Sequence, residues 1–150
     1  MSGNHEYAPR MRTMSDDEAR AFLAEGGRTG KLASASLDGD PHVTPLWYVV
    51  DGDDVVFITS AASIKGRQLQ ANPRAALAVD DDTFPYAFVT VRGPVALEDE
   101  APDRRDWAVR IAARYVPDRA EEFGARNDAP GETLVRLRLA RVFGQADLAV

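Results

Sequence analysis

The chain has 150 residues, 45% hydrophobic and 28% charged, values that fit one folded domain burying roughly 70% of its unfolded surface. It contains no cysteine and two histidines, which excludes disulfides, iron–sulfur clusters, thiolate nucleophiles and thiolate zinc sites and leaves a histidine metal centre unsupported. A formal charge of -6 argues against nucleic-acid binding. No apolar run approaches the ~20 residues of a membrane span, so no membrane partner is expected.

Along the chain, residues 1–13 read as a flexible tail, and 14–150 as a single domain. The polar start Met1-Ser2-Gly3-Asn4 is no signal peptide, so a cytoplasmic location is expected. Ser15-Asp16-Asp17-Glu18 is a capping box, Phe22 and Leu23 give the helix its apolar stripe, and Gly26-Gly27 ends it. Strand Lys31–Leu37 runs into the tight-turn dipeptide Asp38-Gly39. Val43–Val50 follows, then a turn at Asp51–Asp54 and the strand Val55–Thr59. A short helix Ser63–Ala71 stops at Asn72-Pro73, and Ala75–Val79 resumes as strand. Ala87–Leu97 is a long strand bent at Arg92-Gly93-Pro94.

Pro102 opens a helix to about Tyr115, with Trp107, Ile111 and Tyr115 spaced by four. Gly124–Gly131 reads as a polar loop, and Thr133–Phe143 as a last strand with Val135, Leu137 and Leu139 on one face, Arg136 and Arg138 on the other. Six strands, most joined by short antiparallel connections, with three added helices, describe a mainly β fold, a small closed or split barrel. A doubly wound α/β fold is disfavoured, because strands and helices do not alternate.

The segment Thr59–Arg74 carries the most information. A strand end, a hydroxyl-rich turn (Thr59, Ser60, Ser63) and a helix start bearing Lys65 and Arg67 together make an anion site, since free N–H groups at a helix start favour negative charge. Its position after a buried strand points to the phosphate end of a nucleotide-like cofactor; the alternative is a basic surface helix. Gly30-Lys31 resembles a P-loop fragment but has Glu25 where glycine is needed and Leu32 where Ser or Thr is needed. No nucleophile elbow or Ser/His pairing occurs. Most carboxylates fall in turns, and His42 reads as a strand-face residue. What remains is cofactor chemistry, for which the protein supplies binding, orientation and electrostatics. Pro45 marks an edge or distorted strand position, where free amides could meet a planar ring and Trp47 or Tyr48 could wall it. The alternative is that Trp47 is core and Tyr48 an ordinary strand residue.

Pro41–Trp47, Lys65-Gly66-Arg67-Gln68-Leu69 with Asn72-Pro73-Arg74, Val89–Val95 and Arg141–Leu148, in this order, resemble the pyridoxamine-phosphate-oxidase-like split-barrel flavin and deazaflavin oxidoreductases. The likeness is greatest to the short actinobacterial branch using coenzyme F-420, and it covers about residues 14–148. The resemblance implies a six-stranded antiparallel split barrel and a homodimer with cofactor sites at the interface. It also implies hydride transfer from reduced F-420 to a conjugated or unsaturated small molecule. FMN is the alternative cofactor, and a non-catalytic cofactor or tetrapyrrole binder the alternative role. The cofactor phosphate maps onto Thr59, Ser60, Lys65 and Arg67, with Ser63 where some relatives carry another basic residue. The ring maps onto Thr44, Pro45, Leu46 and Trp47, with Ile58 behind. No catalytic side chain is nominated, and no metal is expected. Lys31, Arg74, Arg136, Arg138 and Arg141 are candidates for an acidic coenzyme tail.

Overall fold

A computed structural model describes residues 11–149; the expected tail over residues 1–10 lies outside them. Arg12 and Thr13, also placed in that tail by the sequence reading, form a short strand β1 (Arg12–Thr13) paired with the last strand. Ser15 caps α1 (Asp16–Ala24), its hydroxyl accepting the N–H of Glu18 at 3.1 Å. The Glu18 carboxylate turns to Arg12 at 2.8 Å. Phe22 and Leu23 bury the apolar stripe of α1.

The strands that follow are β2 (Gly30–Ala35), β3 (Pro41–Leu46), β4 (Val49–Asp51) and β5 (Asp54–Ser60). Helix α2 (Ile64–Ala71) precedes β6 (Arg74–Asp81) and β7 (Ala87–Glu98), then come α3 (Arg104–Tyr115), α4 (Ala120–Arg126), β8 (Glu132–Arg138) and β9 (Arg141–Ala146). Among the described residues there are thus nine strands and four α-helices, where six and three were expected. Two expected strands are each divided. Val43–Val50 breaks at Trp47-Tyr48, and Thr133–Phe143 breaks at Leu139-Ala140, where the Leu139 N–H turns to Asp53 O at 2.8 Å. Helix α4 occupies a stretch that includes the start of the expected loop at Gly124.

All pairings are antiparallel, in the order β3-β2-β6-β7-β8-β5-β4, with β9 on β7 and β1 on β9. Strand β7 gives its first half to β9 and its second to β8. The change occurs at Gly93, where a side chain would meet the Arg138 carbonyl; the expected bulge is absent against β6, whose register runs unbroken from Arg74↔Pro94 to Ala76↔Arg92. Strands β3 and β4 sit at opposite ends of the order yet are joined only by Trp47 and Tyr48. Three residue steps span no more than about 11 Å, so the sheet must curl until its ends nearly meet. That open seam makes the molecule a split barrel.

Tyr48 anchors the seam. It is fully buried and its hydroxyl donates to Leu23 O at 2.6 Å. The Arg114 guanidinium lies 4.5 Å from its ring centroid and donates to its carbonyl at 2.7 Å. Phe57, Leu32, Leu69, Leu77, Val89 and Val135 fill the barrel interior. Trp107, Val56 and Leu134 form a second, smaller cluster under α3.

Candidate functional site

Alternation along β5 sorts its side chains between two environments. Val55 and Phe57 enter the interior, whereas Val56 and Ile58 meet the α3 side. Ile58, Leu46 and Trp47 line a cavity of about 300 Å³ at the seam, closed by Ala108 and Ile111 of α3 and by Asn127. Trp47 is held as a wall: its ring stacks on Tyr115 at 5.1 Å with 5° between planes, and Phe123 tilts against it at 5.7 Å. Its lining side chains are aliphatic or aromatic with the Asn127 amide among them. Thr44 and Pro45 lie on the adjoining edge strand β3, Thr44 half-buried and Pro45 exposed.

Ser60 follows Ile58 by two residues and so shares its face of β5. Ser63 caps α2, its hydroxyl accepting the Gly66 N–H at 3.0 Å and donating to Ser60 O at 2.8 Å. Thr59 points the other way; it is buried, with its hydroxyl 3.3 Å from that of Ser63. Helix α2 begins hard against the strand end, since a side chain on Gly66 would run into the Ser60 carbonyl oxygen. Among the described residues, the N–H groups of Ile64 and Lys65 have no hydrogen-bond partner in the chain, leaving two donors at the positive end of the helix. None of these residues lines the seam cavity itself, and of them Ser60 shares the face of Ile58.

The two cations differ. Lys65 is half-buried, and burial holds its ammonium pKa below the ordinary value, partly offset by Glu132. Glu132, the register partner of Ser60, is pushed upward by burial, with Arg104 and Lys65 working against that shift. Arg67 is exposed and makes no ion pair among the described residues. An ammonium losing hydration without a close carboxylate gains by meeting an oxyanion.

Residues 15–146 match the pyridoxamine 5'-phosphate oxidase family. The chain belongs to that family. Among solved structures it is similar to a conserved hypothetical protein, Rv2991, from Mycobacterium tuberculosis, with 26% identity and a TM-score of 0.73 over 90% of this chain and 86% of that one. An F420 reductase shares 23% identity and a TM-score of 0.63 over 81% and 94% of the two chains. A FAD-binding protein from Mesorhizobium loti shares 21% identity and a TM-score of 0.69 over 90% and 96%. The last two show the split-barrel fold. No curated protein matches the sequence.

Sequence reasoning missed several residues that family membership alone does not place. Ala108, Ile111 and Asn127 close the cavity, Tyr115 backs Trp47, and Glu132 faces Lys65. Only the four-residue spacing of Trp107, Ile111 and Tyr115 signalled that α3 turns one face to the barrel. Of the cations considered for an acidic tail, Lys31 pairs with Asp80 at 3.1 Å, Arg136 with Asp51 at 3.1 Å, and Arg138 with Asp54 at 3.0 Å. Arg74 and Arg141 have no such partner among the described residues. No group of acidic or histidine residues there could hold a metal ion, and no helix is long and apolar enough to cross a membrane.

Proposed function

We propose that this protein binds the deazaflavin coenzyme F-420 and acts as an oxidoreductase on a conjugated or unsaturated small molecule. The observation that carries the reading is continuity. Ile58, which lines the seam cavity with Leu46 and Trp47, shares its face of β5 with Ser60, whose carbonyl accepts the Ser63 hydroxyl at the donor-bearing start of α2. The donor set suits a phosphate: unbonded N–H groups of Ile64 and Lys65, the Lys65 ammonium, the nearby Arg67 and the Ser60 hydroxyl. Leu46, Trp47, Ile58, Thr44 and Pro45 would hold the ring, while Thr59 and Ser63 shape the helix start from behind it.

When bound, the reduced coenzyme supplies a hydride. The chain would supply the rest: the stacked Trp47–Tyr115 wall would orient the ring, and Ala108 and Ile111 of α3 would bound the space in which a flat substrate is held beside it. The family's F420 reductase neighbour supports this cofactor. FMN is the second reading, supported by the FAD-binding neighbour. Pairing of two copies, with the cofactor site at their interface, is part of the same reading. Its support is the family to which the chain belongs.

Side-by-side titration of the purified protein with F-420 and FMN, read by fluorescence, tests the assignment. Saturable F-420 binding, followed by oxidation of the reduced coenzyme with an enone or quinone, is the expected result. Saturation by FMN alone transfers the site to the flavin reading, and indifference to both removes it.

A further inference from the structure

Three arginines gather on the outer sheet face at the corner where β7 changes partner. Arg92 lies opposite Ala76 of β6 on one side and opposite Arg141 of β9 on the other. Arg74 is two residues from Ala76, diagonal to Arg92 and on the same face. Like charges directly opposite in an antiparallel pair destabilise it, so Arg92 and Arg141 occupy an arrangement the fold alone does not favour. Nothing in the chain relieves it: all three are exposed, and none makes an ion pair, a side-chain hydrogen bond or a cation–π contact among the described residues. By contrast, Arg12, Arg20, Arg28, Arg104, Arg119, Arg126, Arg136 and Arg138 each hold a carboxylate.

The same residues line two adjoining concavities. One, of about 430 Å³, holds Arg74 and Arg92 beside Ser34 and Asn72; the other, of about 120 Å³, holds all three arginines. No acidic residue lines either, on a chain whose formal charge is -6. We propose that Arg74, Arg92 and Arg141 form a second anion-binding site, which takes an extended, multiply charged oxyanion, a polycarboxylate or a polyphosphate chain. Arg92 and Arg141 stand opposite each other and Arg74 lies on the diagonal one strand further, with strands about 4.8 Å apart, and the larger concavity continues the row past Arg74 to Asn72 and Ser34, which gives room for a chain of anionic groups. Guanidinium pairs with carboxylate and phosphate alike through two parallel hydrogen bonds, so both sources satisfy the site. This site does not depend on the redox reading, because its arginines lie away from the seam cavity and by the C-terminal end of α2, whose cap residue Asn72 lines it, while Lys65 stands at the other end of that helix.

The test is isothermal titration calorimetry with hexaglutamate and with tripolyphosphate, at low and at high salt, on the wild type, on the triple variant Arg74→Gln, Arg92→Gln, Arg141→Gln, and on Lys65→Ala. The expected result is saturable binding of at least one probe that weakens with salt, falls tenfold or more in the triple variant and persists in Lys65→Ala. A preference for hexaglutamate identifies the polycarboxylate source, and one for tripolyphosphate the polyphosphate source. Circular dichroism checks the fold of the triple variant. Arg141→Gln alone, expected to weaken binding threefold or more, keeps the test decisive if the triple variant unfolds. Failure of both probes to bind the wild type, or equal binding by the arginine variants, overturns the proposal. So does loss of both probes in Lys65→Ala, which would place the anion on α2.

Discussion

The cations of β8 and those at the start of α2 look equivalent as text and are opposite in structure. Arg136 and Arg138 lie on the outward face of β8, where turn carboxylates reach them: Asp51 and Asp54 for Arg136, and Asp54 again for Arg138. Arg136 also spreads over the Trp107 ring at 5.1 Å. Their charge is already used. Lys65 and Arg67 project from a helix whose first turn offers no acid, and Lys65 is partly desolvated with only the longer-range pull of Glu132. A basic residue signals a ligand when the fold denies it a partner, and that denial is not written in its immediate neighbours.

Breaking the α2 region should have the larger consequences. Gly66→Ala forces a methyl group into the Ser60 carbonyl, and overpacking of this kind costs about 1–3 kcal/mol. The variant is expected to show a lower Tm and no measurable F-420 binding. Lys65→Ala removes a charge-assisted contact while sparing the fold, so F-420 affinity should fall by about 1.5–3 kcal/mol with Tm almost unchanged. Ser63→Ala deletes a cap hydroxyl. Chemical denaturation should register a loss of about 1 kcal/mol, with a smaller drop in affinity as the first turn frays. On the other side of the comparison, Arg136→Gln should lower stability by no more than about 1 kcal/mol and leave the F-420 titration superimposable on the wild type. A coenzyme defect in that variant would erase the distinction between the two regions.

pH sharpens the same contrast. Lys65 has a lowered ammonium pKa, and an oxyanion binds its charged form. F-420 affinity should therefore decline as pH rises through that depressed value, earlier than an ordinary lysine would allow. Glu132 has a raised pKa, so its negative charge near the site disappears at a higher pH than for an exposed glutamate. Affinity should rise as pH falls through that value. A Glu132→Gln variant should lose the acid-side change and keep the alkaline one, as followed by fluorescence titration at a series of pH values.

Local signals gave the elements and little of their assembly. The Ser15 cap and the Asp38-Gly39 turn, with Gly39 at φ 91°, were readable because each is a rule about neighbouring residues. Apolar alternation carried the reading of β8 past Leu139 into β9, since Leu139 is buried like Leu137 and Val135 before it. The break comes from a distant partner, Asp53. The same applies at the site. Trp47 could be named from the strand pattern and Leu46 and Ile58 from the family resemblance, but the Tyr115 stack and the closing Ile111 and Asn127 depend on how α3 and α4 settle over the seam. The Glu132 position opposite Ser60 is a matter of register between strands more than seventy residues apart in sequence.

The most direct measurement is the F-420 dissociation constant of Lys65→Ala set beside that of Arg136→Gln and the wild type, by fluorescence titration in one buffer. A loss of about tenfold or more confined to Lys65→Ala is predicted. Equal affinities for all three proteins, or a larger loss in Arg136→Gln, would contradict a phosphate seat at the start of α2.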